Sequence, residues 1–346
     1  LHPAAKLLPE PNENRIMNTL LSILGIVTLT LLVVAGFLFS LRWWVQRLVR
    51  VLLFPRYRLR IIGREHIPQT GPVLIAANHV SWLDGFFLAA ACPRRGHALV
   101  NAAYIDWPVI GRWARWVGLI PVPFSGPKAQ RTMFEICRKV LTDGGVLGLF
   151  PEAQMTRNGL TGPFYRGLEV IVAGRESTAV VPMFLENLWG SVFSYAGGRV
   201  LRKRPRGLRR TVVVVFGPPV SRPITAFAVR QAVLEAGVTA CERRGLPSRP
   251  LETLDPSLPY LDHPDLGPLT GSTADHDQDG IRQTGHKPGT QGHPLPGVAL
   301  RVVNDTGDTL PPETPGRLLA RVPGRDWTDT GYRASLDRDG FVRILE

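Results

Sequence analysis

Residues 78–84 read Asn-His-Val-Ser-Trp-Leu-Asp. A histidine and a carboxylate at close range make a general base and its orienting acid. The acid holds one imidazole nitrogen and fixes the tautomer, and the other nitrogen can then deprotonate an alcohol. His79 and Asp84 lie on different faces if both belong to one regular helix. Their contact therefore requires His79 on a turn just ahead of a helix that begins near Asp84. The same stretch has a plainer reading. Ser81-x-x-Asp84 has the spacing of a capping box, in which the serine caps the first turn and the acid reaches back, leaving His79 a loop residue.

The elements that would position these groups alternate along the chain. "PVLIAA" (72–77), "GLIPVP" (118–123), "GVLGLF" (145–150), "TAVVPMF" (178–184) and "TVVVVFG" (211–217) are short strand-like runs bounded by Gly or Pro. "PKAQRTMFEICRKVLTDGG" (127–145) has an amphipathic helical pattern, with Met133, Ile136, Cys137, Val140 and Leu141 as its stripe. This pattern predicts an α/β domain with a mixed, largely parallel sheet and flanking helices. Functional residues in such sheets gather beyond the carboxyl ends of the strands, where both His79 and Glu152 fall. For Glu152 the alternative is a turn with a helix-start acid. No Gly-x-Ser-x-Gly nucleophile motif is present. Cys92, Cys137 and Cys241 have neither disulfide nor metal-ligand spacing, so no metal site is expected and a reducing compartment is.

A formal charge of +13 calls for an anionic partner. Residues 17–41 contain no charge, and about 20 apolar residues span a bilayer. Arginines follow at 42, 47, 50, 56, 58 and 60, and Trp43 and Trp44 stand where an interfacial belt would. The pattern predicts a single transmembrane helix over 17–41 and a basic interfacial helix over 42–54, with the following domain in the cytoplasm. Residues 1–16 are unassigned. The run "GGRVLRKRPRGLRR" (197–210) reads as a solvated loop that can attract anionic headgroups, at ~1 kcal/mol per basic residue near the surface, or an acidic carrier protein. No RNA motif or DNA-reading helix points to nucleic acid.

Beyond the 55–245 domain, residues 246–288 are rich in Pro, Gly, Asp and Ser and read as a poorly ordered linker. Residues 289–346 follow as a small β-rich tail, with "GVALRVVND" and "GRLLARV" as candidate strands.

The ordered set of motifs resembles the glycerolipid acyltransferase superfamily. Asn78-His79-x4-Asp84 is similar to its first motif. "FPEAQMTR" (150–157) is similar to its Phe-Pro-Glu-Gly motif, "GPFYRG" (162–167) to its aromatic-basic-Gly segment and "VVPMF" (180–184) to its Val-Pro strand. The resemblance covers about residues 55–240. It is nearest to the acyltransferase domain of bifunctional 2-acylglycerophosphoethanolamine acyltransferase/acyl-carrier-protein synthetases. "GTQGHPLPGVALRVVN" (289–304) and "GRDWTDTGYRASLDRDGFVRI" (324–344) resemble late segments of AMP-forming acyl ligases, with Thr330-Gly331-Tyr332 where that family carries Thr-Gly-Asp.

This resemblance implies a membrane-bound enzyme that moves an acyl group from coenzyme A or acyl-carrier protein to a lysophospholipid, with no cofactor. His79 would be the base and Asp84 its orienter. Asn78, Lys128, Glu152, Gln154 and Arg157 would bind substrate. It also implies a bacterial-type inner membrane, with membrane phospholipids as partners and acyl-carrier protein as a further one. Two positions depart from the pattern: Ala153 replaces the motif glycine, and Gln154 stands near the usual arginine. Gln lacks the bidentate phosphate fork of Arg, so a substituted phosphate suits the acceptor better than glycerol 3-phosphate. The alternatives are a lysophosphatidate acyltransferase and an inactive lipid-binding protein. The tail is expected to be a ligase remnant, dispensable for acyl transfer unless it packs on the core.

Overall fold

The computed structural model describes residues 13–53, 55–102, 112, 118–122, 126–202, 204, 209–245, 253–278 and 281–345. The expected features at 1–12, 203 and 205–208 lie outside these. One continuous helix, α1, runs from Glu13 to Leu53, joining the two helices expected from sequence. Its Met17–Phe37 stretch is fully exposed, and it is the one described helix long and apolar enough to cross a membrane.

The second unit begins at Val49. Its strands are β1 (Tyr57–Ile62), β2 (Val73–Ala77), β3 (Gly96–Asn101), β4 (Leu119–Val122), β5 (Val146–Leu149), β6 (Ala179–Glu186) and β7 (Arg210–Phe216). They form one seven-stranded sheet in the order β1-β7-β6-β2-β5-β3-β4. Every neighbouring pair is parallel except β6 and β7. The helices α2 (Asp84–Ala91), α3 (Pro127–Thr142) and α4 (Gly167–Val172) lie between these strands in the chain, and α5 (Ala226–Arg244) follows β7.

Strand alternation divides the core. Leu74 and Ala76 face α3, α4 and α5. Val73, Ile75 and Ala77 face α2, where Phe87 meets the Tyr57 ring edge-on with centroids 5.2 Å apart. Both faces of β2 are thus covered, which is why its sequence is apolar throughout rather than alternating. The α3 stripe holds at Met133, Cys137, Val140 and Leu141, but Ile136 is 40% exposed. A helix this short buries one stripe, and Ile136 lies at its margin. All three cysteines are buried and carry no disulfide.

The stretch after α5 departs from expectation. Of residues 246–288, read as a poorly ordered linker, the described residues 253–278 and 281–288 contribute to short ladders. β8 (Asp262–His263) pairs with β9 (Gly267–Pro268), β10 (Thr270–Gly271) with β13 (His293–Pro294), and β11 (His276–Gln278) with β12 (Ile281–Gln283). A four-stranded antiparallel sheet follows: β14 (Ala299–Val303), β15 (Gly316–Arg321), β16 (Thr328–Leu336) and β17 (Val342–Ile344). Leu261 and Leu269 are buried in one apolar cluster with Val298, Leu300, Leu318 and, from the first domain, Leu160. Order here comes from two short hairpins, the longer-range β10–β13 pairing and buried hydroxyls rather than from a hydrophobic period. Thr270, Ser272 and Thr273 are each about as buried as the leucines, at 1% exposed.

Candidate functional site

Parallel pairing of β2 with β5, in the register Ala76↔Leu149, sets two strand ends side by side. Asn78-His79 leaves one and Phe150-Pro151-Glu152 the other. The His79 ring consequently stacks on Phe150, with centroids 4.4 Å apart and an interplanar angle of 19°.

His79 meets Asp84 through Nδ1, at 2.9 Å from Oδ2. The Asp84 carboxylate is wholly buried and accepts three further hydrogen bonds: from the Val80 amide (2.6 Å), the Ser81 amide (2.9 Å) and the Ser81 hydroxyl (2.6 Å). Burying a carboxylate is tolerable only with such a set of donors. Because Asp84 acts as acceptor in all four contacts, Nδ1 is the donor, which in the neutral ring leaves the lone pair on Nε2. The His79 side chain keeps 23% of its surface exposed, enough to reach a substrate. The two readings of this stretch coexist. Asp84 reaches back to the Ser81 amide as a capping acid does, and it holds His79 as well. Leu83, rather than Ser81, occupies the cap position of α2.

Glu152 is also buried. One carboxylate oxygen accepts from the His79 amide and the other from the Gly162 amide, each at 2.8 Å. Burial pushes its pKa up to about 7 against those two hydrogen bonds and the charges of His79 and Arg230. The acid therefore pins the backbone of the histidine turn to the loop around Gly162. Thr156 adds a third tie, its amide donating to the His79 carbonyl at 2.9 Å.

The other expected binding residues are placed differently. Asn78 is buried and exchanges both side-chain hydrogen bonds with the Leu185 backbone, fixing the turn to β6. Gln154 donates to the Arg282 carbonyl at 3.2 Å. The Arg157 guanidinium lies 3.4 Å over the Tyr195 ring, and its Nε has no hydrogen-bond partner among the described residues. Lys128 opens the first turn of α3, but its side chain lies outside the described ones. In the basic run, Arg199, Arg202, Arg204 and Arg209 are exposed. Arg210 is not a headgroup ligand. It donates to the carbonyls of Asn187, Trp189 and Gly190 at 2.9–3.0 Å.

Ala153, which departs from the Phe-Pro-Glu-Gly pattern, adopts φ 55°, a left-handed conformation that a glycine there would adopt without strain.

With this geometry in view, residues 58–186 match the family model described as Acyltransferase. A chloroplastic 1-acyl-sn-glycerol-3-phosphate acyltransferase of Arabidopsis thaliana is 27% identical to this chain over 136 residues, 39% of this chain and 38% of the relative. A lyso-ornithine lipid O-acyltransferase of Pseudomonas aeruginosa is 32% identical over 142 residues, 41% of this chain and 51% of the relative. The chain thus spans about half or less of the length of these two relatives. The crystal structure of the 1-acyl-sn-glycerophosphate acyltransferase from Thermotoga maritima aligns with 68% of this chain and 99% of its own, at 18% identity and a TM-score of 0.47. The matched segment contains His79, Asp84 and Glu152. The acyltransferase match ends before Arg230 and the tail strands that meet its loops.

Proposed function

We propose that the protein is a membrane-anchored O-acyltransferase that esterifies the hydroxyl of a lysophospholipid from an acyl thioester. The observation that carries this reading is the buried Asp84 holding His79 by Nδ1, on a side chain that stays partly exposed. His79 Nε2 takes the hydroxyl proton while the oxygen attacks the thioester carbonyl carbon. The tetrahedral intermediate collapses, the carbon–sulfur bond breaks, and the thiolate leaves as thiol with the proton that His79 returns. Asp84 stabilises the transient imidazolium. Glu152 holds the acceptor side of the site, with Arg157 as the candidate for the acceptor phosphate.

A lysophosphatidate acceptor is the second reading, favoured by the name of the Arabidopsis relative. A lyso-ornithine lipid acceptor in another relative shows that such a name need not fix the headgroup. Purified protein with acyl-coenzyme A or acyl-carrier protein, offered lysophosphatidate, lysophosphatidylethanolamine and lyso-ornithine lipid in turn, separates these. Transfer to none of them would remove the enzymatic reading and leave a lipid-binding protein.

The anchor is proposed to be the Met17–Phe37 stretch, in a bacterial-type inner membrane with the catalytic domain facing the cytoplasm. Labelling of a single cysteine placed within 253–278 by an impermeant reagent in intact cells would reverse that orientation. The tail is proposed to lack adenylating activity. Tyr332 replaces a carboxylate, and the Thr330 hydroxyl already donates to the Leu318 carbonyl at 2.7 Å. Acyl-dependent pyrophosphate release from ATP would overturn this.

A further inference from the structure

Arg230 is the bulkiest fully buried side chain among the described residues, 1% exposed on α5. Nothing in the proposed reaction uses it directly. Its Nε donates to the Gly162 carbonyl at 2.8 Å, and one terminal nitrogen donates to the Thr161 carbonyl at 2.9 Å. That nitrogen also meets His293 Nδ1 at 3.3 Å, and the other has no hydrogen-bond partner among the described residues. Gly162 is the residue whose amide holds Glu152, and Glu152 holds the His79 amide. One run of contacts therefore leads from α5 to the backbone of the histidine turn.

The tail closes over the far side of this arginine. The His293 ring meets Phe341 edge-on at 3.8 Å, and burial and the Arg230 charge hold its pKa well below the ordinary histidine value. Gly340 packs against the guanidinium so closely that a β-carbon there would collide with it. Lys287 is held by Asp337 and Asp339 at 2.6 Å each, and both acids favour the Arg230 charge. A second set of contacts grips the same loop. Asn158 donates to Thr273 at 2.9 Å and accepts from Gln283 at 2.7 Å, and the Arg157 amide donates to Gln283 at 2.7 Å.

We infer that the C-terminal β unit is a working part of the acyltransferase: it seats Arg230, which positions the 150–165 loop and Glu152 for the acyl acceptor. Arg230 is a positioning residue, acting through Gly162 and Glu152. The inference rests on the acyltransferase reading and adds that acceptor handling depends on residues outside the acyltransferase match. It accounts for a buried cation at this spot, since an arginine alone can bridge two adjacent carbonyls and a histidine in one plane. A loop displaced by ~1 Å can cost on the order of 10²-fold in rate.

The test uses the full chain in phospholipid vesicles, with Arg230→Met, Arg230→Lys and His293→Leu beside the wild type. Kinetics are read separately for lysolipid and for acyl-coenzyme A. Arg230→Met is expected to lose on the order of 10²-fold in kcat/KM for the lysolipid while KM for acyl-coenzyme A stays unchanged. Arg230→Lys should recover only part of the loss, since it keeps the cation but cannot bridge both carbonyls and the histidine at once, and His293→Leu should show a smaller loss of the same kind. Hydrogen exchange at the His79 and Gly162 amides gives a readout independent of turnover. These amides should lose protection in Arg230→Met while those of β2 and β5 keep theirs. Unchanged lysolipid kinetics, or equal losses toward both substrates, would overturn the inference. If the wild type transfers no acyl group, the functional reading fails by itself. Exchange then decides whether Arg230 holds the loop, and unchanged protection rejects that too.

Discussion

Asp84 grips His79 at 2.9 Å through a carboxylate that is wholly inside the protein and holds three other donors besides. The acid cannot turn away from the imidazole without leaving those donors unpaired, so the ring is held in one tautomer and one orientation. Asp84→Asn offers amide hydrogens to groups that also donate. It is expected to lower turnover by about 10²–10⁴-fold, and to destabilise the fold as well. Ser81→Ala removes one donor to the same carboxylate. It should cost about 1 kcal/mol of stability, with the rate falling far less than in Asp84→Asn. Equal rate losses in the two would mean that the acid acts as a cap alone.

Glu152 gives a pH signature. Its pKa is raised to about 7 in the folded protein, from 4.5 when unperturbed. Between those values the folded state holds a proton that the unfolded chain has released. Its stabilising share is therefore full below the lower value and is lost as pH rises through the upper one. Glu152→Gln has no such titration. The melting temperature of the wild type, measured against that of Glu152→Gln, should fall from about pH 5 to about pH 8. A constant difference across that range would place the titration elsewhere.

Ala153 sits in left-handed backbone at φ 55°, with its amide donating to Phe150 to close the turn. A left-handed alanine is strained by roughly 1–2 kcal/mol, and glycine's greater unfolded entropy offsets part of that. Ala153→Gly is expected to raise stability by up to ~1 kcal/mol without lowering turnover. A lower melting temperature in the glycine variant would contradict the strain argument.

Removal of everything after Gly245 looked harmless from sequence, on the condition that the tail did not pack on the core. It does pack. Leu160 shares a buried cluster with Leu261, Leu269 and Leu318, and the Asn158 side chain depends on Thr273 and Gln283. Truncation at that point should leave a protein that aggregates or melts well below the full chain, with acyl transfer lost. Full activity in the truncated protein would restore the remnant reading.

Some of this was legible in the residues. Strand-turn-helix punctuation around 78–84 placed His79 and Asp84 in reach of each other, and the apolar run at 145–150 placed Glu152 at the carboxyl end of another strand. Adjacency of β2 and β5 was not legible, because strand order depends on long-range pairing. Arg230 left a signal that could have been read. It falls on the apolar stripe of "AFAVRQAVLEAG", with Val229, Val233 and Leu234. A charge on a buried stripe marks a partnered cation. The tail hid its order because its core mixes buried Thr, Ser and His with leucines at no fixed period.

The most direct measurement is acyl transfer itself, followed as appearance of diacylated phospholipid from a lysolipid and acyl-coenzyme A or acyl-carrier protein. Wild-type protein should form the product. His79→Ala, matched to it for membrane content and melting behaviour, should do so about 10²–10⁴-fold more slowly. Near-normal product formation by His79→Ala would contradict the account, because no other base among the described residues is held against a buried carboxylate at the ends of β2 and β5.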